Sequence, residues 1–414
     1  MAESLIPFVA PLILPLVKIA ILVGALMTAA AYLVLLERWI AAWVQDRIGP
    51  NRVGPLGLLQ PLADGLKFIF KEEYTPAHVD KFLFILAPIV ILAAALAIFA
   101  VIPFGSVLPP LGLERFGITD PIRLIVAPGV DVGLVYVFAL SSVAVYGVIL
   151  GAWASNSKYS FLGGLRSSAQ LIAYEIPLGL GILGVILYSG SLDLERIIGD
   201  QAKTGVWNVF TQPLGFVVFM VASFAESARL PFDLPECEQE LIGGYHTEYA
   251  GMKLLLFLIA EFLHMVVSAF LIVILFFGGW HLWGLTGSGD EVNWFQAIAR
   301  IVVLVAKIMA VIVFFMMVRW SWPRFRFDQL MSLAWKVMLP LGLLNLAAVA
   351  VISEMMESSE TPVSPWVVAA WGWVVLVVGW AGAALSAPLH DDNRPRQHSR
   401  EFDVEQEISS GVKL

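Results

Sequence analysis

The 414-residue chain has one cysteine, Cys237, and so can form no internal disulfide and no cysteine-ligated iron–sulfur cluster. It is also poor in charge: Asp, Glu, Lys and Arg make up 14% of the residues, against 59% hydrophobic ones. A soluble domain is typically about 45–50% apolar. With a mean hydropathy of +0.83, the composition therefore excludes an ordinary soluble protein. No basic, aromatic-interleaved patch offers a nucleic-acid surface. There is no phosphate-binding glycine loop, no dinucleotide fingerprint and no GxSxG elbow, which removes nucleotide sites and hydrolase triads from the reading. The six histidines follow no ligand spacing, although His246 and His264 each have a Glu nearby. The N-terminus lacks a basic region and a small-residue cleavage site, so the first apolar run is expected to be retained as a span.

What is present is a series of apolar runs of about 20 residues, the length a helix needs to cross a bilayer. An all-α polytopic membrane protein follows, with nine predicted spans: 15–36, 82–102, 132–153, 169–188, 206–225, 254–277, 298–318, 333–352 and 366–386. The fifth holds Asn208, Gln212 and Pro213, and is expected to be short or broken. Lys and Arg favour the cytoplasmic side in short loops. The loops after spans one, three, five and seven with the span ends beside them, together with the tail, carry 18 of the 25 basic residues. That bias places the N-terminus outside. Residues 1–387 are expected to form one bundle, and 388–414 a mobile cytoplasmic tail.

The first cytoplasmic loop, 37–81, contains PLGLLQPLADGLKFIFKEE. Leu58, Leu59, Leu62, Leu66, Ile69 and Phe70 fall near helical spacing there, which predicts an amphipathic helix lying at an interface. Before it, DRIGPNRVGPLG is punctuated by Gly and Pro and predicts a stiff irregular loop.

The chemistry concentrates in carboxylates. Glu37, Asp131, Glu175, Glu226 and Glu261 stand within or at the ends of spans, where an ionisable group is costly and commonly serves a proton or ion path. The loop 226–249, ESARLPFDLPECEQELIGGYHTEY, adds Asp233, Glu236, Glu238, Glu240 and Glu248 against one base, Arg229. Repulsion among close carboxylates raises the pKa of some members. The two prolines around Asp233 suggest a hinge or lid, and Arg229 could hold the acids or simply pair within the loop. The segment RWSWPRFRFDQLM carries Arg319, Arg324 and Arg326 among aromatics. It reads either as an interfacial anchor or as a docking site for a cytoplasmic partner.

Four segments, ERWIAAWVQDRIGPNRVGPLGLLQPLADGLKFIFKE, RSSAQLIAYEIPL, AESARLPFDLPECEQELIGGYHTEYAGMKLLLFLIAE and PRFRFDQLM, occur in this order over roughly residues 32–335. Together they resemble the quinone-site membrane subunit of proton-pumping NADH:quinone oxidoreductase, respiratory complex I, the H-subunit family. The resemblance implies an enzyme subunit in a bacterial inner membrane that binds no cofactor of its own. Quinone would be its substrate, flavin and iron–sulfur clusters would reside in partner subunits, and peripheral and antiporter-like membrane subunits would be its neighbours. It further implies a quinone chamber lined or braced by Glu37, Arg38, Arg47, Arg52, Gln60, Asp64, Lys67, Arg229 and Asp233. The coupling carboxylates would be Glu175, Glu226, Glu236, Glu238, Glu240, Glu248 and Glu261. In this family the first span is often followed by Glu-Arg-Lys, whereas here Trp39 takes the third place. The ninth span and the tail lie beyond the family core. A homologous subunit of a membrane-bound hydrogenase-type complex and a stand-alone ion transporter are the competing readings.

Overall fold

The computed structural model describes residues 2–109, 122–233, 243–287, 293–358 and 364–386. The described chain is predominantly helical, in the order α1 (Ala2–Val44), α2 (Gln60–Phe70), α3 (Lys81–Ile98), a short antiparallel pair β1 (Val107–Leu108) and β2 (Ile122–Arg123), α4 (Gly133–Ala154), α5 (Lys158–Ser189), α6 (Leu194–Thr204), α7 (Asn208–Thr211), α8 (Pro213–Glu226), α9 (Gly251–Phe276), α10 (Trp283–Thr286), α11 (Trp294–Ser321), α12 (Phe327–Leu333), α13 (Leu339–Ser358) and α14 (Pro365–Ser386). A π-helical turn, Ala334–Met338, joins α12 to α13 into one continuous span.

Among the described residues, eight helices are long and apolar enough to cross a membrane, and α8 is a shorter apolar one. The predicted boundaries shift where polar residues continue a helix past the bilayer. The first helix runs on to Val44, after which the chain turns through Asp46 at φ 51°, and it buries Ile40, Ala41 and Ala42. Likewise α5 starts at Lys158, well before the predicted residue 169, and ends on Gly190 in the left-handed conformation at φ 65°. The short helix α6 was not foreseen, yet its ends carry clear signals. The Asp193 carboxylate accepts from the Glu195 N–H at 3.0 Å, and Gly205 closes the helix at φ 70°.

The hub is α9. From Met265 to Phe276 every residue is buried, the pattern of a helix surrounded on all sides by protein. It packs against α1, α3, α8 and α11. Phe270 meets Phe99 and Phe104 edge to face at this core, and those two rings stack on each other. Just past the last turn of α9, Lys307 of α11 donates to the carbonyls of Phe277, Gly279 and His281 at 2.7, 3.0 and 2.7 Å, closing the C-terminus of that helix. His281 is held below the usual imidazole pKa by burial and by Lys307 and Arg300 nearby.

The fifth span breaks as expected, at Gln212–Pro213, which leaves α8 with 14 residues. A helix of that length is about 21 Å long, too short for a hydrocarbon core of about 30 Å. Its end therefore falls inside the bundle, and the adjoining segment is carried there with it. Ser227, Arg229, Phe232 and Asp233 are all buried. Over residues 226–233 the acidic cytoplasmic loop predicted at 226–249 is thus largely buried.

Gln170 of α5 fastens that element by donating to the carbonyls of Ala225 and Phe232 at 2.9 and 2.6 Å. Replacing Gln170 with Leu leaves both buried carbonyls without this donor, at a cost of about 1–3 kcal/mol each. The assembled membrane complex carrying Gln170→Leu is expected to show a lower apparent Tm than wild type, read by thermal denaturation in detergent or lipid.

Candidate functional site

Two connected clusters of charge lie around segment 226–233. The first centres on Arg229, whose side chain is 4% exposed. Its Nη1 reaches Glu37 Oε2 of α1 at 3.1 Å, and its Nε stands 3.3 Å from Glu261 Oε1 of α9. The guanidinium also lies 4.2 Å from the centroid of the Phe262 ring. Arg319 of α11 takes the other oxygen of Glu37 at 2.8 Å, and Arg324 takes Asp233 at 3.0 Å. Acids and bases therefore alternate across four parts of the chain, which lets charges sit in an interior that would not hold them singly.

This changes the reading of two groups. Arg229 holds acids from the helices α1 and α9 rather than merely pairing within its own loop. Arg319 and Arg324 face inward onto Glu37 and Asp233, so of the three predicted docking arginines only Arg326 is turned outward. It pairs with Asp328 at 3.1 Å in an exposed position.

The second cluster is a cavity of about 80 Å3 walled by α3, α4, α5, α9 and segment 226–228. Three predicted coupling residues, Glu175, Glu226 and Glu261, line it, together with Ser141, Ser142, His246 and His264. Such a volume has room for a few waters. Ser141 Oγ is hydrogen-bonded to Glu226, and Ser142 Oγ to Glu175. Ser142 also bonds the Phe138 carbonyl at 3.0 Å, so its single proton can satisfy only one of two acceptors at a time. Leu171, Leu254 and Phe257 supply apolar wall. Glu261 belongs to both clusters, since it lines the cavity and pairs with Arg229.

Beside the cavity Tyr249 stacks on Phe84, with centroids 3.9 Å apart, and burial holds its phenol above the usual range. It thus stays protonated at any physiological pH.

A third group forms where α1 meets α2. Asp64 accepts from Arg38 at 2.7 Å, from Gln60 at 3.3 Å and from Lys67 at 3.5 Å. This brings together four residues of the predicted chamber. The apolar face of α2 is exposed through Leu62, Leu66, Ile69 and Phe70. Arg47 bonds Gln45 at 2.8 Å in the exposed Gly-Pro loop, and Arg52 is exposed there too.

Of the remaining acids, Glu248 is half-buried in the turn before α9 and does not line the cavity. Asp131 is exposed and pairs loosely with Arg196 at 3.7 Å on the opposite side. Glu236, Glu238 and Glu240 lie outside the described residues.

The sequence reading missed Ser141, Ser142 and the place of His264. The signals were a polar pair in the middle of an apolar span and a histidine one turn after Glu261.

Arg229→Met leaves Glu37 and Glu261 buried with less compensation, a loss of about 3–5 kcal/mol for a buried pair. The assembled complex is expected to melt at a clearly lower temperature with Arg229→Met than with Arg326→Met, whose guanidinium is 69% exposed.

The comparisons with known proteins converge on one family. A family model described as NADH dehydrogenase matches residues 17–350. The chain is 47% identical over 317 residues to the first H-type subunit of NADH-quinone oxidoreductase from Cytophaga hutchinsonii, covering 77% of this chain and 90% of that protein. It is 47% identical over 331 residues to the corresponding H-type subunit of Geobacter metallireducens, covering 80% and 94%. It is 43% identical over 338 residues to NADH-quinone oxidoreductase subunit 8 of Rhodothermus marinus, again covering 80% and 94%. With the matched region taking in α2, segment 226–233, α9 and α11, the chain belongs to the NADH dehydrogenase family, as a membrane subunit of the NADH-quinone oxidoreductase complex.

Proposed function

We infer that this subunit forms part of the quinone chamber and couples quinone reduction to proton translocation. The observation that carries this reading is Glu261, which joins the Arg229 ion-pair cluster to a cavity lined by two further carboxyls. The names of the relatives support it: all three are called quinone oxidoreductase subunits, which favours this activity over a hydrogenase-type complex or a stand-alone transporter.

In this reading the quinone, as substrate, reaches the chamber from the bilayer past the exposed apolar face of α2. The Asp64 group with Arg38, Gln60 and Lys67 braces the path, and Arg47 and Arg52 flank it. Flavin and iron–sulfur clusters in partner subunits supply the electrons. Reduction places negative charge near Asp233 and Glu37, and Arg324, Arg229 and Arg319 respond because each is shared between an acid and that new charge. Any weakening of the Arg229–Glu261 pair makes Glu261 a stronger base. The cavity then takes up a proton, with Ser141 and Ser142 as hydroxyl links to Glu226 and Glu175.

Glu248, with Glu236, Glu238 and Glu240, would extend this path. Arg326 remains as a docking residue for a peripheral subunit. The charge bias of the loops supports an external N-terminus and a cytoplasmic α2, and the bacterial relatives support a bacterial inner membrane.

The test uses the assembled enzyme in proteoliposomes. Glu226→Gln and Asp233→Asn are each expected to lower quinone-linked proton translocation by about a hundredfold or more, the scale of losing one positioned proton-transfer group. Glu195→Gln, on the short helix α6, is expected to leave it unchanged. Full pumping in both of the first two variants would overturn the assignment.

A further inference from the structure

The break in the fifth span is a second polar place in the bundle, away from the carboxylate cavity. Pro213 has no N–H, so α8 cannot continue the hydrogen bonds of α7, and carbonyls of α7 lose their helical donors. Membrane interiors tolerate such backbone only where protein or water satisfies it. Gln212 at the break and Asn345 of α13 are both buried, 2% and 3% exposed.

Gln212 Nε2 donates to the Gly184 carbonyl at 3.1 Å. Its Oε1 and the Asn345 Nδ2 are left as an acceptor and a donor without hydrogen-bonding partners among the described residues. Both atoms converge on Gly184, where an added Cβ would stand 2.7 Å from each. They therefore lie within twice that distance of one another, a gap that one water spans with two hydrogen bonds of about 2.8 Å each. Gly215 keeps the other side open, since a Cβ there would stand 2.8 Å from Asn345 Nδ2. A cavity of about 10 Å3, lined by Tyr188, Thr211, Gln212 and Asn345, adjoins these groups. About 10–15 Å3 is the least volume that holds a water, and a site must offer it two to four polar partners.

The roof of this cavity is α14, through Trp371, Gly372 and Val375. Gly372 lies directly on the Thr211 carbonyl, so close that a side chain there would strike it, and also the Pro213 ring at 2.9 Å. Trp371 Nε1 donates to the Ala348 carbonyl at 3.1 Å and ties α14 to α13. Val375 joins Leu214, Val218 and Met338 in a small separate core. The break falls inside the family match and its roof outside it, since the match ends at residue 350.

We propose that Gln212 and Asn345 bind one structural water at the break in the fifth span, and that α14 is the lid that keeps this hydrated break out of the lipid. The ninth span thereby has a role that does not depend on quinone chemistry. An unsatisfied amide or carbonyl facing hydrocarbon carries a large penalty, and the lid and the water together remove it.

The experiment uses the assembled complex in lipid nanodiscs. High-resolution cryo-EM of wild type is expected to show one isolated density between Gln212 and Asn345, absent in Asn345→Leu. A direct hydrogen bond between the two amides, with nothing between them, overturns the water site. Hydrogen–deuterium exchange over residues 208–216 tests the lid. Gly372→Leu is expected to speed exchange by about tenfold or more through local opening. Gly382→Leu, the same change at a position with nothing within 4 Å, is expected to leave exchange slow. Equal exchange in the two variants overturns the lid. Should Gly372→Leu fail to assemble, a chain ending at Ser358 replaces it, and slow exchange at 208–216 in that chain overturns the proposal in the same way.

Discussion

Everything around segment 226–233 depends on one arrangement, the Arg229 guanidinium shared between Glu37 and Glu261. A buried guanidinium is tolerable only with acids against it, and these two acids come from α1 and α9. Arg319 from α11 completes Glu37. The positions of three long helices are thus tied to a segment that has no regular structure of its own. The same feature makes the site responsive, because Arg229 and Glu37 each balance two partners and a new charge nearby redistributes that pairing.

The short α8 is what delivers Arg229 to the interior. The Gln212–Pro213 break shortens the span, and Gln170 and Tyr174 of α5 then hold the segment beyond its end, Gln170 through its two hydrogen bonds and Tyr174 through ring contact with Phe232. Phe325 donates its N–H to the Pro231 carbonyl at 3.2 Å, so the segment is clamped from both sides. One local sequence event, a proline after a glutamine in an apolar run, thereby produces both the buried charge cluster at one end of α8 and the polar break under α14 at the other.

Much of this was legible in the sequence for a physical reason: bilayer-length apolar runs and polar interruptions are strong local signals. The broken fifth span followed from Asn208, Gln212 and Pro213, and the amphipathic α2 from the spacing of its leucines. Glu175, Glu226 and Glu261 stood out because carboxylates are rare in apolar helices, and the structure brings all three to one cavity. Partnerships were not legible. Arg319 and Arg324 sit among tryptophans and phenylalanines in a pattern that also describes an interfacial anchor, and only the packing of α11 against α1 and α9 turns them inward. Ser141 and Ser142 resemble serines that bond back to their own helix, as Ser142 in fact also does. The short helix α6 carried a cap at each end, but its 11 residues lack the length that made the spans conspicuous.

The account rests on a carboxyl in the cavity changing its protonation when quinone is reduced. Redox-induced infrared difference spectroscopy on the assembled complex reads that change directly, in the carbonyl stretch of protonated carboxyl groups. A carboxyl band is expected on quinone reduction, lost in Glu175→Gln or Glu226→Gln and shifted in frequency by Ser142→Ala or Ser141→Ala. A difference spectrum with no carboxyl band, or with one unaffected by all four substitutions, would contradict the account.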